Sequence, residues 1–337
     1  MERHWLSPTD PQPIRALVSQ SGSHPRHHGS LWLRPSLGPL AQSPGHRGQA
    51  AAAAYIRAYV KRNKTDAADA CALLEAARCA DIQPVRIKSV EQQALQSLHR
   101  TRSLWMGTRT SRINALRGFC REFGLAIPRG ARTGVEAISR ALADPQTPLP
   151  GMIHRAMNFL IEEIRLLELR ITQVERELAE LAKQSEACTT LLSIPGIGLL
   201  TATALVAATG GGVSHFKDAR HFASWFGLTP REFSSGSTRT LGRISKRGDR
   251  YLRMLLTHGA RSVLRAASVA RTAGKSLDGL RTWGLAVQAR ANHNKAACAV
   301  ANKLARICYA TLRDGTPYGT PSRLSHKLNR SEFAIAA

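Results

Sequence analysis

Acidic residues are scarce in this chain. Across 337 residues, 23 Asp and Glu stand against 48 Lys and Arg, a formal net charge of +25. Such a balance implies an anionic partner. Nucleic acid is the usual one, and a membrane surface is the rival. Long apolar runs are missing too. None approaches the ~20 residues that a helix needs to cross a bilayer, so no transmembrane span is expected. The N-terminus lacks the ordered series of charged start, apolar run and small-residue cleavage site, so no export signal is expected. No CxxC pair occurs among Cys71, Cys79, Cys120, Cys188, Cys298 and Cys308, and the 12 histidines show no zinc-type spacing with them. Reduced thiols in a cytoplasmic protein are the expectation.

What is present is enough apolar material, 43% of the chain, for a sizeable core. The length suggests two or three domains of ~100–200 residues. Residues 1–54 are rich in Pro, Gly, Ser and His, carry only Glu2 and Asp10 as acids, and show neither strand alternation nor a helical stripe. They are expected to be poorly ordered. Order is expected from Tyr55. A helix is predicted over 66–80 with Thr65 as its cap, a short strand at Val85-Arg86-Ile87, and a long helix over 90–122. Residues 126–150 read as a connector. Leu160, Ile164, Leu167, Ile171, Val174, Leu178 and Leu181 then repeat at spacings of four and three over about three heptads, within a segment spanning 151–187. That seam predicts a coiled coil or a helical hairpin. Residues 188–313 read as an all-helical domain with long helices over 249–270 and 286–313. The tail, 314–337, reads as loose.

Three motifs could carry chemistry. In Lys61-Arg62-Asn63-Lys64-Thr65-Asp66-Ala67-Ala68-Asp69, the two carboxylates lie three apart and share a helix face. They either help hold a hard cation such as Mg²⁺ or merely favour the positive end of the helix dipole. Ile194-Pro195-Gly196-Ile197-Gly198 precedes a small-residue helix. It reads as a helix-hairpin-helix turn whose Pro195, Gly196, Ile197 and Gly198 present backbone N–H groups to phosphate, or as a plain helix–helix turn. The third motif runs from Gly227-Leu228-Thr229-Pro230 through Ser234-Ser235-Gly236 to Gly242-Arg243-Ile244-Ser245-Lys246-Arg247-Gly248. Residues 228–253 hold seven basic and two acidic side chains. A serine there is either a nucleophile toward a phosphodiester, aided by the cations, or part of a phosphate-binding loop. No base for it is evident in the sequence. Arg239, Arg243, Lys246 and Arg247 are the candidate DNA contacts.

Taken in order, these motifs, with His258-Gly259-Ala260-Arg261, Asn294-Lys295-Ala296-Ala297 and Ala301-Asn302-Lys303-Leu304-Ala305-Arg306, make the chain resemble the DEDD-type insertion-sequence transposases, the IS-one-ten family. The resemblance covers roughly residues 55–313. It implies a mainly α chain holding a remnant of an RNase H-like α/β domain (55–125), a long coiled-coil helix and a C-terminal helical transposase domain. It implies Mg²⁺ held by four acids, a serine that becomes linked to DNA during strand cleavage and exchange, and an element-encoded RNA partner. The heptad helix is expected to pair with a second subunit, making a homo-oligomer through the coiled coil. By motif position Asp66 and Asp69 match the third and fourth acids. Ser235 matches the serine, with Ser234 as the fallback.

The N-terminus departs from the pattern. The family's first two acids sit beside strands, and residues 1–54 contain no such strands. Two acids from one helix do not hold and space the ions of a two-metal site. One neighbouring frame of a GC-rich back-translation of Leu33–Pro39 reads Cys-Gly-Pro-Arg-Trp-Ala-Arg, which resembles a stretch after the family's second acid, so a frameshift would explain the departure. An active transposase and an inactive remnant that only binds nucleic acid both stay open on these residues.

Overall fold

The structure, a computed structural model, describes residues 56–59, 65–79 and 88–320. The described residues are mainly helical and divide into two compact units, residues 1–93 with Arg247–Asp249 and the rest of the chain.

In the first unit a 3₁₀ turn, Arg57–Tyr59, is followed by helix α1, Asp66–Arg78. Thr65 caps α1 as predicted, its hydroxyl oxygen accepting from the Ala68 N–H at 3.2 Å. Ile56, Ala72 and Ala76 make a small core with Tyr59 and Leu73 packed against it. The strand predicted at Val85–Ile87 lies outside the described residues, as do residues 61–64 and 1–55. Helix α2, Val90–Glu122, opens with a reciprocal capping box: Ser89 Oγ accepts from the Gln92 N–H, and Gln92 Oε1 from the Ser89 N–H.

The second unit takes over from residue 94. Helix α3, Ala131–Ala143, occupies what the sequence presents as a connector, burying Ile138 and Leu142 against Ile113, Leu116, Met157 and Ile161. Helix α4, Gly151–Lys183, carries the heptad seam. It runs antiparallel to α2, tied by Arg102–Glu175, Arg109–Glu168 and Arg112–Glu163. Ile161, Ile164, Leu167, Ile171, Val174, Leu178 and Ala182 are buried within the chain. The seam therefore belongs to an intramolecular helical hairpin, which corrects the expectation that this face awaits a partner subunit. Its ends shift as well, with Ile161 and Ala182 inside in place of Leu160 and Leu181.

Helices α5 (Glu186–Leu192), α6 (Leu199–Thr209) and α7 (Ala219–Trp225) follow, then strands β1 (Pro230–Glu232) and β2 (Leu241–Ile244). Helices α8 (Arg250–Thr272), α9 (Gly279–Arg290) and α10 (His293–Asp314) complete the unit. The C-terminal region is thus not all-helical: β1 and β2 form an antiparallel hairpin. The predicted helix over 286–313 is broken at Ala291, where the chain leaves helical dihedrals and Asn292 Oδ1 caps α10 by accepting from the Lys295 N–H at 2.8 Å. Helix α6 is apolar or small on nearly every side and sits in the main core with Phe222, Phe226, Leu256 and Leu304. An aromatic group of Phe216, Phe222, Trp225 and Phe226 closes one side of it. The start of the tail is tied back, since the Tyr318 N–H donates to Ser193 Oγ at 2.7 Å.

His99 links three helices of this unit. Its Nε2 lies 3.0 Å from Thr203 Oγ1 and its Nδ1 3.1 Å from the Tyr251 hydroxyl. The Thr203 hydroxyl donates to the Leu199 carbonyl at 2.7 Å, so it accepts from Nε2–H, and Tyr251 donates to Nδ1. Burial, with Arg102 nearby, pulls the imidazole down to about 4 and keeps it neutral. All six cysteines are free thiols; complete burial pushes Cys308 up to about 12. Among the described residues, no helix is long and apolar enough to cross a membrane.

Candidate nucleic-acid interface

The hairpin is rooted in the core and otherwise stands in solvent. Phe226 and Leu228 are buried at its root. Arg253 of α8 donates to the Phe226 carbonyl at 2.8 Å and Asn302 of α10 to the Leu228 carbonyl at 3.3 Å. This gives the Asn302 motif a structural role. The Ser245 N–H bonds the Thr229 carbonyl and the Lys246 N–H the Gly227 carbonyl, closing the base. Every residue from Pro230 to Arg243 is exposed. At the tip, Ser235 and Thr238 exchange backbone hydrogen bonds of 3.2 and 3.1 Å around Gly236-Ser237. Gly236 adopts φ +55, the left-handed conformation that two-residue hairpin turns demand.

Glu232 pairs with Leu241, the Phe233 N–H bonds the Thr240 carbonyl, and Pro230 pairs with Ile244 across a bulge. Strand alternation therefore divides the hairpin into two faces. One face carries Glu232, Ser234, Arg239 and Leu241. Ser234 Oγ donates to Glu232 Oε1 at 2.7 Å and accepts from the Thr240 N–H at 3.2 Å, while Arg239 Nε lies 3.4 Å from the same carboxylate oxygen. The other face carries Phe233, Ser235 and Gly242. Among the described residues the Ser235 hydroxyl has no hydrogen-bond partner. The sequence shows no base beside the serines; the structure places the Glu232 carboxylate 2.7 Å from Ser234 Oγ, from which it accepts a hydrogen bond. Its signal is the two-residue spacing to Ser234, which is meaningful only once the segment is known to be a strand. Arg243 and Lys246 are exposed, and Lys246 holds φ +55, the one non-glycine positive φ among the described residues. Arg247 is exposed and belongs to the first unit.

The Ile194–Gly198 turn is built differently from its sequence expectation. Gly196 has φ +86, and a Cβ there would stand 2.8 Å from the Gly259 carbonyl oxygen and 2.6 Å from Val263 Cγ2 of α8. Pro195 and Gly196 are half-buried. Ile197 is a core side chain, and its N–H is used on the Ile194 carbonyl at 3.0 Å. Of the four turn residues only Gly198 is exposed, at the start of α6, where no side chain caps the helix.

Asp66 opens α1 and Asp69 lies half-buried in its first turn. Among the described residues no group of three or more His, Cys, Asp or Glu side chains could hold a metal ion. The described residues do not fit a complete Mg²⁺ site.

Comparison with known proteins agrees with this motif order. Residues 46–123 match the model of the DEDD transposase domain of IS110, and residues 188–275 match that of the transposase IS116/IS110/IS902 family. The chain is 40% identical over 275 residues, 81% of its length and 79% of the relative's, to a Pseudomonas aeruginosa protein named "Probable family 20 transposase". It is 40% identical to the transposase for insertion sequence element IS1111A of Coxiella burnetii, over 77% of this chain and 69% of that one. With the transposase for IS1328 of Yersinia enterocolitica the identity is 34% over 92% of this chain and 86% of the relative. The chain belongs to the IS116/IS110/IS902 family of insertion-sequence transposases.

Proposed function

We propose that this transposase grips DNA through the cationic hairpin and that Ser235 is the nucleophile of strand cleavage and exchange. The observation that carries the reading is the Ser235 hydroxyl, without a hydrogen-bond partner among the described residues, at the tip of an exposed hairpin bearing Arg231, Arg239, Arg243 and Lys246. Its Oγ attacks a backbone phosphorus, a serine–phosphate ester forms, and the leaving strand departs with a hydroxyl end. The cations offset charge developing on the phosphate. Ser234 is the fallback nucleophile, but its hydroxyl is already held by Glu232. Gly198 at the uncapped start of α6 supplies a second contact to the DNA backbone, the part the sequence assigns to a helix-hairpin-helix turn.

The family resemblance adds an element-encoded RNA, Mg²⁺ with Asp66 and Asp69 among its ligands, and an RNase H-like origin for residues 55–125; the unpaired cysteines favour a cytoplasmic site of action. The transposase also acts as a homo-oligomer. With the buried seam filled in cis, that contact falls to the exposed Met152, Phe159 and Leu166, seven residues apart on α4.

The test is Mg²⁺-dependent cleavage or strand transfer on DNA carrying the element's ends, with its flanking RNA present, beside Ser235→Ala and Ser234→Ala. Loss of product in Ser235→Ala alone supports the reading. Full activity in Ser235→Ala overturns it. A second reading, a chain that binds nucleic acid without cleaving it, is favoured by one observation. Glu2 and Asp10 are the only acids before residue 55, and the DEDD match starts at residue 46. That reading predicts retained binding that weakens steeply with salt, at a slope of about −0.9 per phosphate neutralised, and no cleavage.

A further inference from the structure

We propose that Phe233 is a stacking platform for an unpaired DNA base beside Ser235, an inference that rests on the DNA reading of the hairpin. Phe233 is 63% exposed although it is among the most apolar side chains of the hairpin. It belongs to none of the hydrophobic clusters among the described residues and packs on no other aromatic ring there. Burial does not account for its place.

What holds it is a glycine. The ring leans diagonally across the strands onto Gly242, where a Cβ would stand 2.7 Å from Phe233 Cε2 and 3.3 Å from Cδ2. Diagonal neighbours on one face of a hairpin are within reach of an aromatic side chain. Any side chain at 242 would push the ring away, so the hairpin is shaped to seat one edge of the ring and leave the rest in solvent. Phe233 and Ser235 are two residues apart on one strand and share this face, whereas Glu232, Ser234 and Arg239 satisfy one another on the other.

The surroundings identify the occupant. From Pro230 to Lys246 the only acid is Glu232, against Arg231, Arg239, Arg243 and Lys246. An exposed aromatic ring on a hairpin with four cations and one acid fits a π-faced, polyanionic ligand, in which phosphates meet cations of the hairpin and a base meets the ring. A base paired inside a duplex has its faces covered by its neighbours, so the ring selects a base that is unpaired. Placing such a base two residues from the serine fixes which phosphate the Ser235 hydroxyl meets.

The experiment uses the full chain with two DNA duplexes of one sequence, one fully paired and one with a single unpaired 2-aminopurine, plus the bulged duplex in RNA. Anisotropy reads affinity and fluorescence reads stacking. The expected result is tighter binding of the bulged DNA, with quenching of the 2-aminopurine, in wild type and in Phe233→Tyr. Phe233→Leu keeps an apolar side chain but loses the quenching and roughly ten-fold of the affinity for the bulged duplex. Its salt dependence and thermal midpoint stay unchanged. Wild-type affinity and quenching in Phe233→Leu would overturn the inference while leaving the DNA reading standing. A preference for the bulged RNA over the bulged DNA would overturn the choice of DNA. Absence of salt-sensitive binding to every duplex would overturn the DNA reading, and the inference with it.

Discussion

Gly196 and Gly259 meet backbone to backbone: the turn before α6 rests on the middle of α8 with no room for a side chain on either residue. The contact explains two glycines that the sequence presents only as parts of motifs. It also shows that the Ile194–Gly198 turn is shaped by packing as much as by any ligand.

Gly259→Ala is therefore expected to destabilise the helical unit by about 3 kcal/mol, at the upper end of overpacking costs, because the obstacle is backbone that cannot swing aside. Gly196→Ala adds the strain of φ +86 to a similar collision. Gly198→Ala is the control. It has extended dihedrals and open space around a new Cβ, and it is expected to cost less than about 1 kcal/mol. Urea unfolding of the three variants measures this, and equal midpoints for Gly259→Ala and Gly198→Ala would contradict the packing account.

The antiparallel pair of α2 and α4 makes a second prediction. The Arg102 side chain is only 15% exposed where it meets Glu175, whereas Arg112 and Glu163 are both more than a third exposed. Glu175→Gln should cost about 1 kcal/mol, because it leaves a half-buried guanidinium short of its partner. Glu163→Gln should cost less, and its effect should shrink faster with added salt. Double-mutant cycles with Arg102→Gln and Arg112→Gln, run at low and high salt, check both the order and the screening.

Local signals made some of this fold readable and hid the rest. Thr65, with its cap on Ala68, and the long apolar periodicity of 90–122 are features of neighbouring residues, and α1 and α2 start where they say. The seam of α4 was legible as a period, but a period does not say whose helix fills it. That depended on Arg102, Arg109 and Arg112 finding acids 51 to 73 residues away. Helix α3 was masked by the Pro and Gly at its flanks, since only Val135, Ile138 and Leu142 mark its apolar stripe. The hairpin was hardest. Its strands have three and four residues and no buried face, so the alternation that betrays a strand is absent. Without the strand, Glu232 and Ser234 are merely near in sequence and the two serines look alike.

Those serines should separate experimentally. Glu232→Gln removes the charge that holds both Ser234 and Arg239. If Ser234 only braces the hairpin, Glu232→Gln and Ser234→Ala will lower DNA cleavage a few-fold while Ser235→Ala abolishes it, and trapping of a serine–DNA adduct will persist in the first two. If instead Glu232 serves Ser234 as a base, Glu232→Gln and Ser234→Ala will both abolish the adduct and Ser235→Ala will not. Denaturing gels of the protein–DNA adduct distinguish the two patterns.

His99 makes stability depend on pH in a defined direction. Its folded-state value, about 4, lies below the ordinary 6.5 because burial penalises the imidazolium and Arg102 repels it. Between those values the unfolded chain binds a proton that the folded chain refuses, so stability rises with pH across the window. The contribution is complete above pH 6.5, is lost as the pH falls toward 4, and amounts to roughly 3 kcal/mol. The carboxylates held low by their hydrogen bonds, Glu163, Asp218 and Asp314, start from 4.5 or 3.8 and act in the same direction but at lower pH. Among the described residues, His99 is the group whose shift spans the interval from pH 6.5 to about 5. His99→Gln, which keeps a donor and an acceptor but cannot take up a proton, should lower stability at pH 7.5 and flatten the slope across that interval. An unchanged slope in His99→Gln would show that another group carries the pH dependence and that the imidazole tying Thr203 to Tyr251 is not its source.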